Sequence, residues 1–271
     1  MVIDNSFLRD KYNPDGSVLR QAQLRMLEML VFIDEQCKKH GIEYWIDYGT
    51  LIGAARHGGF IPWDDDVDIC MTRNNLLKFR QIMQMNPSHD FVLQNHYTDL
   101  GYYRCWDVLR DLKSEYIHIP DLPSEHLLKY NGLQVDIFPF EDKINYTYHR
   151  FLGKFHNAFI SYPLLEKKYF KIIKCFVPFN YVLLESVLIP IGRLIGKIQP
   201  SRDYLMMSYG NQFPEKKQKK YLFPLGKIVF EGKEFNCPND VNAILSSYYG
   251  DWQEVPAPDK IKTHGVKIIF K

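Results

Sequence analysis

The stretch GTLIGAARHGGFIPWDDDVDIC, residues Gly49 to Cys70, decides the fold. Four acids, Asp64, Asp65, Asp66 and Asp68, stand in five positions directly after Trp63. Crowded carboxylates repel one another unless a positive charge lies between them or one is protonated. Upstream, IEYWIDYG is rich in aromatic and branched residues and predicts a strand that runs into Gly49-Thr50. TLIGAARHG predicts a short helix with Thr50 near its N-terminus, stopped by Gly58-Gly59; Pro62 turns the chain and DVDICM is the next strand. Alternate side chains of a strand share a face, so Asp66 and Asp68 project together while Val67 and Ile69 go to the core. Asp64 has the same parity, at the strand's edge.

A hard divalent cation, Mg²⁺ or Mn²⁺, resolves the repulsion, because it takes oxygen ligands and is commonly shared with phosphate oxygens. Asp136, a single acid in the otherwise apolar strand-like LQVDIFPF, offers a third carboxylate. Three carboxylates from two strands suit a site with two metal ions, one for the attacking oxygen and one for the leaving phosphate. Gly49 permits close backbone approach, and the helix start at Thr50 offers N–H groups to an anion. Acid runs are most often solvated loops. Here the D-x-D abuts a strand and follows Gly-Thr at a strand-to-helix turn, which favours a site.

Working outward, residues Ser17 to Lys39 predict an amphipathic helix with Leu24, Leu27, Leu30 and Val31 on its stripe, capped by Ser17 and ended by Gly41. Asn74 to Met85 predicts another helix. FVLQNHY, YYRCWDVLR, SEYIHIP and GLQVDIFPF are β-like runs. From Lys143 to Lys220 the β signals fade, and helices broken at Pro163, Pro178, Pro190 and Pro200 are expected. KIVFEGKEFNCP predicts a hairpin turning at Glu231-Gly232, followed by a helix from Asn239 to Tyr249 closed by Gly250.

The 271 residues are 46% hydrophobic and 24% charged, the balance of a globular chain able to bury a sizeable core. Net charge is +2, but Lys143 to Lys220 holds 14 Lys or Arg against 4 Asp or Glu, a local charge of +10 that leaves −8 for the rest. Five dispersed cysteines without a C-x-x-C pair argue against a disulfide framework and a zinc site. No signal peptide is read at the start, and the most apolar stretch is interrupted by Asn180, Glu185, two prolines and Arg193; a cytoplasmic enzyme is the expectation. No nucleic-acid-binding module is recognised, and nucleic acid is not an expected partner.

The order of strand, Gly-Thr, helix, D-x-D strand and later third acid resembles the nucleotidyltransferase superfamily typified by DNA polymerase β. The longer string YWIDYGTLIGAARHGGFIPWDDDVDICM resembles the signature of the LicD family, related to the fukutin proteins. VDIFPF is similar to that family's second motif, and FEGKEFNCPNDVNAILSSYYGDW, followed by His264, to its closing segment. The resemblance covers about residues 20–142 and 226–265. It implies transfer of a phospho-alcohol, most often phosphocholine, from a CDP-linked donor such as CDP-choline to a glycan hydroxyl, with CMP leaving. Teichoic acids, lipopolysaccharide and related surface polymers, or their lipid-linked precursors, are the acceptors it implies, with ribitol phosphate as the fukutin cargo. Carried over by position, Asp66, Asp68 and Asp136 are the metal-binding catalytic triad, and Gly49 and Thr50 cradle the diphosphate.

Arg56 and His57, after the short helix, are candidate phosphate contacts or plain surface residues at a helix end. Arg110 is a candidate diphosphate or cytidine contact, and His264 a candidate base or phosphate ligand by its place in the resemblance. If the cargo is choline, its quaternary ammonium wants aromatic faces, for which Trp63, Trp106, Tyr102 and Tyr103 are candidates against a background of core packing. The basic segment suits an anionic membrane surface on the inner face, an anionic polymer, or simply solvent. The expected architecture is α/β (α+β): a polymerase β-like nucleotidyltransferase core with a mixed sheet over 1–142, a basic helical insertion over 143–220, and a C-terminal hairpin and helix over 221–271 that pack on the core. The alternatives are a nucleotidyltransferase moving NMP from an NTP, and an inactive glycan- or lipid-binding protein.

Overall fold

The computed structural model describes residues 5–120, 122–199, 202–211, 215–257, 261 and 266–271. Helix α1 (Asn5–Tyr12) leads to α2 (Val18–His40). Ser17 accepts from the Arg20 N–H at the start of α2, and Gly41 ends it in the left-handed conformation, φ 62°. The buried stripe of α2 is Ala22, Met26, Met29, Leu30, Ile33 and Cys37, whereas Leu24 is exposed. Leu27 and Leu30 are buried as the stripe predicts, and the smaller Ala22 and Cys37 extend that face where Leu24 does not.

The chain continues through β1 (Tyr44–Ile46), α3 (Tyr48–His57), β2 (Asp68–Thr72), α4 (Arg73–Met85), β3 (Phe91–Gln94), β4 (Asp107–Asp111), β5 (Ser114–His118) and β6 (Gln134–Glu141). The main sheet is mixed, in the order β1-β2-β6-β4-β3. Only the central β2–β6 pair is parallel among these neighbours; β1–β2, β4–β6 and β3–β4 are antiparallel. Ile69 and Met71 point to the core shared with α2 and α4, while Cys70 points to the opposite face with Trp45 and Phe140. The alternation sends Asp68 to that second face.

Helices α5 (Tyr146–His156), α6 (Tyr162–Leu165), α7 (Lys167–Ile173), α8 (Val177–Leu183) and α9 (Ile189–Lys197) fill the middle of the chain, as the loss of β signals predicts. Regular α-helix is interrupted near Pro163, Pro178 and Pro190, by π-helical stretches at Asn157–Ser161 and Leu184–Leu188 and a 3-10 turn at Lys174–Phe176, without the chain leaving its helical course. Each proline sits in the first turn of α6, α8 or α9, where its missing N–H costs nothing. Pro200 lies outside the described residues. The helical pattern then ends sooner than expected: β7 (Tyr204–Met207) and β8 (Lys216–Gln218) extend the main sheet, with Phe140 opposite Met207. Leu205 and Met207 are buried against Trp45 and Phe140, so tertiary packing decides a segment whose composition carries little strand preference.

After α10 (Lys219–Leu222), β9 (Gly226–Phe230) and β10 (Lys233–Cys237) form the expected hairpin, followed by α11 (Val241–Tyr249) and Gly250. A last strand, β11 (Val266–Phe270), pairs antiparallel with β5 and was not expected from the sequence. The hairpin is bolted to the core by its turn. Arg20 grips both carboxylate oxygens of Glu231 at 3.0 and 2.6 Å, and the Phe60 N–H donates to the same carboxylate. Gly59 makes this possible, because a Cβ there would stand 2.4 Å from Glu231 Oε1.

Candidate active site

Asp68 opens β2 and Asp136 is the third residue of β6; the parallel register sets them directly opposite each other. Neighbouring strands are about 4.8 Å apart, so two like side chains meet at the middle of the sheet. The Asp136 N–H donates to the Val67 carbonyl at 2.9 Å and holds that register. The Asp68 N–H donates to Thr50 Oγ1 at 2.8 Å, and the Asp47 N–H to the Asp68 carbonyl at 3.1 Å. The start of α3 is thus tied to the first residue of β2, which brings Gly49-Thr50 beside the carboxylates.

Burial and mutual repulsion dominate the electrostatics of the acids. Burial first, then the charges of Asp66, Asp136, Asp64 and Asp47, push the Asp68 carboxyl well above the usual range. Asp64 is pushed up to about 6 by burial and by Asp65. Burial also raises Asp136, opposed by Arg104, by the Trp106 indole N–H at 3.0 Å, and by Arg110. Gln134 donates to the other Asp136 oxygen at 3.3 Å. These two donors orient Asp136 and leave each oxygen a further lone pair.

The four acids of the opening stretch have different roles. Asp65 is buried and accepts the Tyr116 hydroxyl at 2.6 Å, a contact that fixes the loop to β5. Asp64 lies against Gly49, where a Cβ would come within 2.8 Å of its carboxylate. Asp66 and Asp68 share their face, with Val67 and Ile69 fully buried on the other. Thr50, expected at a diphosphate, is buried with its hydroxyl engaged by Asp68, so it also fixes the distance between α3 and β2.

Arg110 is buried on β4, two residues along from Val108, the register partner of Asp136. It gives Nε to Gln94 and one terminal nitrogen to the Gly132 carbonyl; its other terminal nitrogen is buried without a hydrogen-bond partner in the structure. Arg56 turns away from the carboxylates and donates to the carbonyls of Trp252 and Glu254, so it holds the C-terminal segment. His57 is kept neutral, its pKa lowered to about 4 by burial and by Arg56. His264 lies outside the described residues. Of the aromatic candidates, Trp106 touches Asp136, Tyr102 is buried with its hydroxyl on the Trp106 carbonyl, and Trp63 packs between Tyr12 and His57.

Among the described residues, no group of three or more His, Cys, Asp or Glu side chains is drawn together closely enough to cage an ion outright. The donors nevertheless suit Mg²⁺ or Mn²⁺: hard carboxylate oxygens, two of them on residues in register.

Two site residues escaped the sequence reading. Asp47 and Lys217 form a fully buried ion pair at 2.7 Å directly under the start of α3. Asp47 also accepts from the Trp45 indole and the Tyr48 N–H, at 2.8 and 2.9 Å. Lys217 donates to the Tyr248 hydroxyl at 2.7 Å, and its ammonium lies over the rings of Tyr48, Phe140 and Tyr248. This cage holds Tyr48 at φ 50°, an unusual conformation for a residue with a side chain. Lys217 gave no signal within EKKQKK; Asp47 could have been found as a lone acid in an aromatic strand one residue before Tyr48-Gly49.

Residues 41–180, just over half of the chain, match the family described as LicD/FKTN/FKRP, nucleotidyltransferase domain. The chain belongs to the LicD family. Among relatives, it is 26% identical over 268 residues to the lipopolysaccharide cholinephosphotransferase LicD of Haemophilus influenzae, covering 92% of this chain and 96% of that protein. A 29-residue stretch is 62% identical to human ribitol 5-phosphate transferase FKRP, 11% of this chain and 6% of that one. Over 101 residues it is 29% identical to the Saccharomyces cerevisiae mannosyltransferase regulator 4, 36% of this chain and 8% of that protein. The matched LicD region contains Asp47, Gly49, Thr50, Asp66, Asp68 and Asp136, and Lys217 falls beyond it.

Proposed function

We infer that this LicD-family protein transfers a phospho-alcohol, phosphocholine being the leading cargo, from a CDP-linked donor to a hydroxyl of a surface glycan or its lipid-linked precursor. The observation that carries the reading is the in-register pair Asp68–Asp136, two carboxylates that repel each other across neighbouring strands. Asp66, Asp68 and Asp136 would hold the divalent cation, which supplies charge neutralisation to the transferring phosphate. Trp106 and Gln134 keep Asp136 aimed at the donor. Thr50 fixes Asp68 from behind, and Gly49 lets the diphosphate approach the start of α3. Arg110, buried two residues along β4 from Val108, would serve as a counter-charge to Asp136. In-line attack by the glycan hydroxyl on the phosphorus forms the new ester O–P bond, breaks the bond to the CMP oxygen, and releases CMP and the hydroxyl proton.

Full-length similarity to a cholinephosphotransferase supports choline over other alcohols. The test is a thermal-shift panel of CDP-choline, CDP-ethanolamine, CDP-ribitol and NTPs, each with and without Mg²⁺. Binding raises the melting temperature by linkage, about 2.7 kcal/mol of stabilisation at a hundred-fold excess over Kd. CDP-choline with Mg²⁺ should give the largest shift. Stabilisation by NTPs alone would replace the reading with nucleotidyl transfer.

A further inference from the structure

We propose that the helices from α5 to α9 form an in-plane docking surface for an anionic lipid bilayer, with the chain lying on the membrane and not crossing it. The helical run Lys168–Lys197 is long and apolar enough to span a membrane, with a mean hydropathy of 1.7 in its most apolar window, of which only 28% is buried. Its two faces differ. Val177, Asn180, Tyr181, Leu184, Ile189 and Gly192 turn inward. Ile172, Phe176, Phe179, Val182 and Leu194 turn outward and are 52–66% exposed. Monomeric soluble proteins rarely leave so many large apolar side chains contiguous in water. In α5 and the turn after it, the rings of Phe151, Phe155 and Phe159 follow one another at 6.4 and 4.8 Å along the same kind of stripe.

The inner face decides between lying and crossing. Asn180 bonds His156, which bonds the Tyr103 carbonyl, and Tyr181 donates to the Arg104 carbonyl. Arg193 grips Glu141 of β6 at 3.0 Å through two nitrogens. Gly196 is pressed so close to the Lys143 carbonyl that a Cβ would stand 2.0 Å from it. Crossing a bilayer would strip these polar groups from their partners and leave them in hydrocarbon, which membranes do not tolerate.

Charge identifies the occupant. Between residues 168 and 197 the fully exposed charged side chains are Lys168, Lys171, Lys174 and Lys197; Glu185 and Arg193 face the protein. An apolar face edged mainly with lysines, against the single exposed acid Glu166 just before α7, complements anionic headgroups and the acyl boundary beneath them. A second copy of the same face would set lysine against lysine. The inner anchors also connect this face to the site, because the segment it grips, Tyr103–Arg104, runs into Trp106, the donor to Asp136. The proposal stands on this surface alone and does not depend on the transferase reading.

The test is flotation of the purified chain with vesicles of phosphatidylcholine, with and without phosphatidylglycerol. Cys175 carries an environment-sensitive dye, since it is the exposed cysteine of the five. The chain should float with phosphatidylglycerol vesicles, release as salt rises, and show a blue-shifted dye quenched best by lipids labelled near the headgroup. Phe176→Ser with Phe179→Ser should cut partitioning about ten-fold or more, and Lys168→Gln, Lys171→Gln and Lys174→Gln together should abolish the preference for anionic lipid. All these residues are exposed, so circular dichroism and melting temperature should be unchanged. Failure of the wild type to float, or equal flotation by the phenylalanine variant, overturns the proposal. Strongest quenching at the acyl-chain ends would show crossing and also overturn it. So would a vesicle-indifferent dimer in which the dye is already buried.

Discussion

Removing the carboxylate of Asp47 leaves the Lys217 ammonium fully buried, with the Tyr248 hydroxyl, three ring faces and the more distant charge of Glu215 around it. Burial disfavours that ammonium, and Asp47 with Cys70, Tyr248 and Glu215 more than reverses the penalty, so the folded protein holds the proton above the ordinary lysine pKa. Breaking a fully buried pair from one side costs about 3–5 kcal/mol. For a chain of this size each kcal/mol lowers the melting temperature by about 2–4 °C, so Asp47→Asn should lose about 6–20 °C. Lys217→Met should cost as much, since it strands the Asp47 charge with the Trp45 and Tyr48 N–H groups and the weak Cys70 thiol as its neutral donors. The double variant replaces the pair with neutral groups and should recover most of the loss. Urea titration followed by fluorescence gives all four stabilities. Single changes costing less than about 1 kcal/mol, or a double variant as unstable as the summed singles, would refute the coupling.

Asp68→Asn should abolish transfer, a loss of more than about 100-fold, while stability in metal-free buffer is unchanged or higher, because one buried and repelled charge is gone; enzyme assay and calorimetry on the same sample check both halves. Glu231 is set by burial, which raises its pKa, against the Arg20 and Phe60 hydrogen bonds, which win and lower it. Its stabilisation is therefore present above the unfolded value near 4.3–4.5 and is lost as pH falls through the depressed folded value. Glu231→Gln should cost about 1–2 kcal/mol at neutral pH and flatten the stability curve below that point, measured by urea midpoints across acid pH. Gly53→Ala should destabilise by about 1–3 kcal/mol in thermal melts, since its Cβ would stand 2.5 Å from the Gly59 carbonyl, which is backbone and cannot rotate away.

The carboxylate pair was legible because strand alternation is local: parity in DVDICM and in VDIFPF puts Asp68 and Asp136 on definite faces before any tertiary contact is known. The register that sets them opposite each other is tertiary and could only be supposed. The hairpin at Glu231-Gly232 was equally local, whereas Glu231's grip on Arg20 joins residues 211 apart in sequence. β7 and β8 stayed hidden because YLMM and KKQ owe their strand state to packing against Trp45, Phe140 and neighbouring strands. Lys217 was lost among surface-like lysines for the same reason. Arg56 stood in the sequence as either a phosphate contact or a residue at a helix end, and its hydrogen bonds to the Trp252 and Glu254 carbonyls, 196 and 198 residues away, are tertiary and carried no local signal.

The most direct test of the central claim is CMP release from CDP-choline by purified protein, with a suitable glycan acceptor, in Mg²⁺ and in chelator. The account predicts release that requires the cation, and its loss in Asp66→Ala, Asp68→Ala and Asp136→Ala proteins that melt like the wild type. Equal CMP release by folded Asp66→Ala and Asp68→Ala proteins, or by the wild type in chelator, would contradict it.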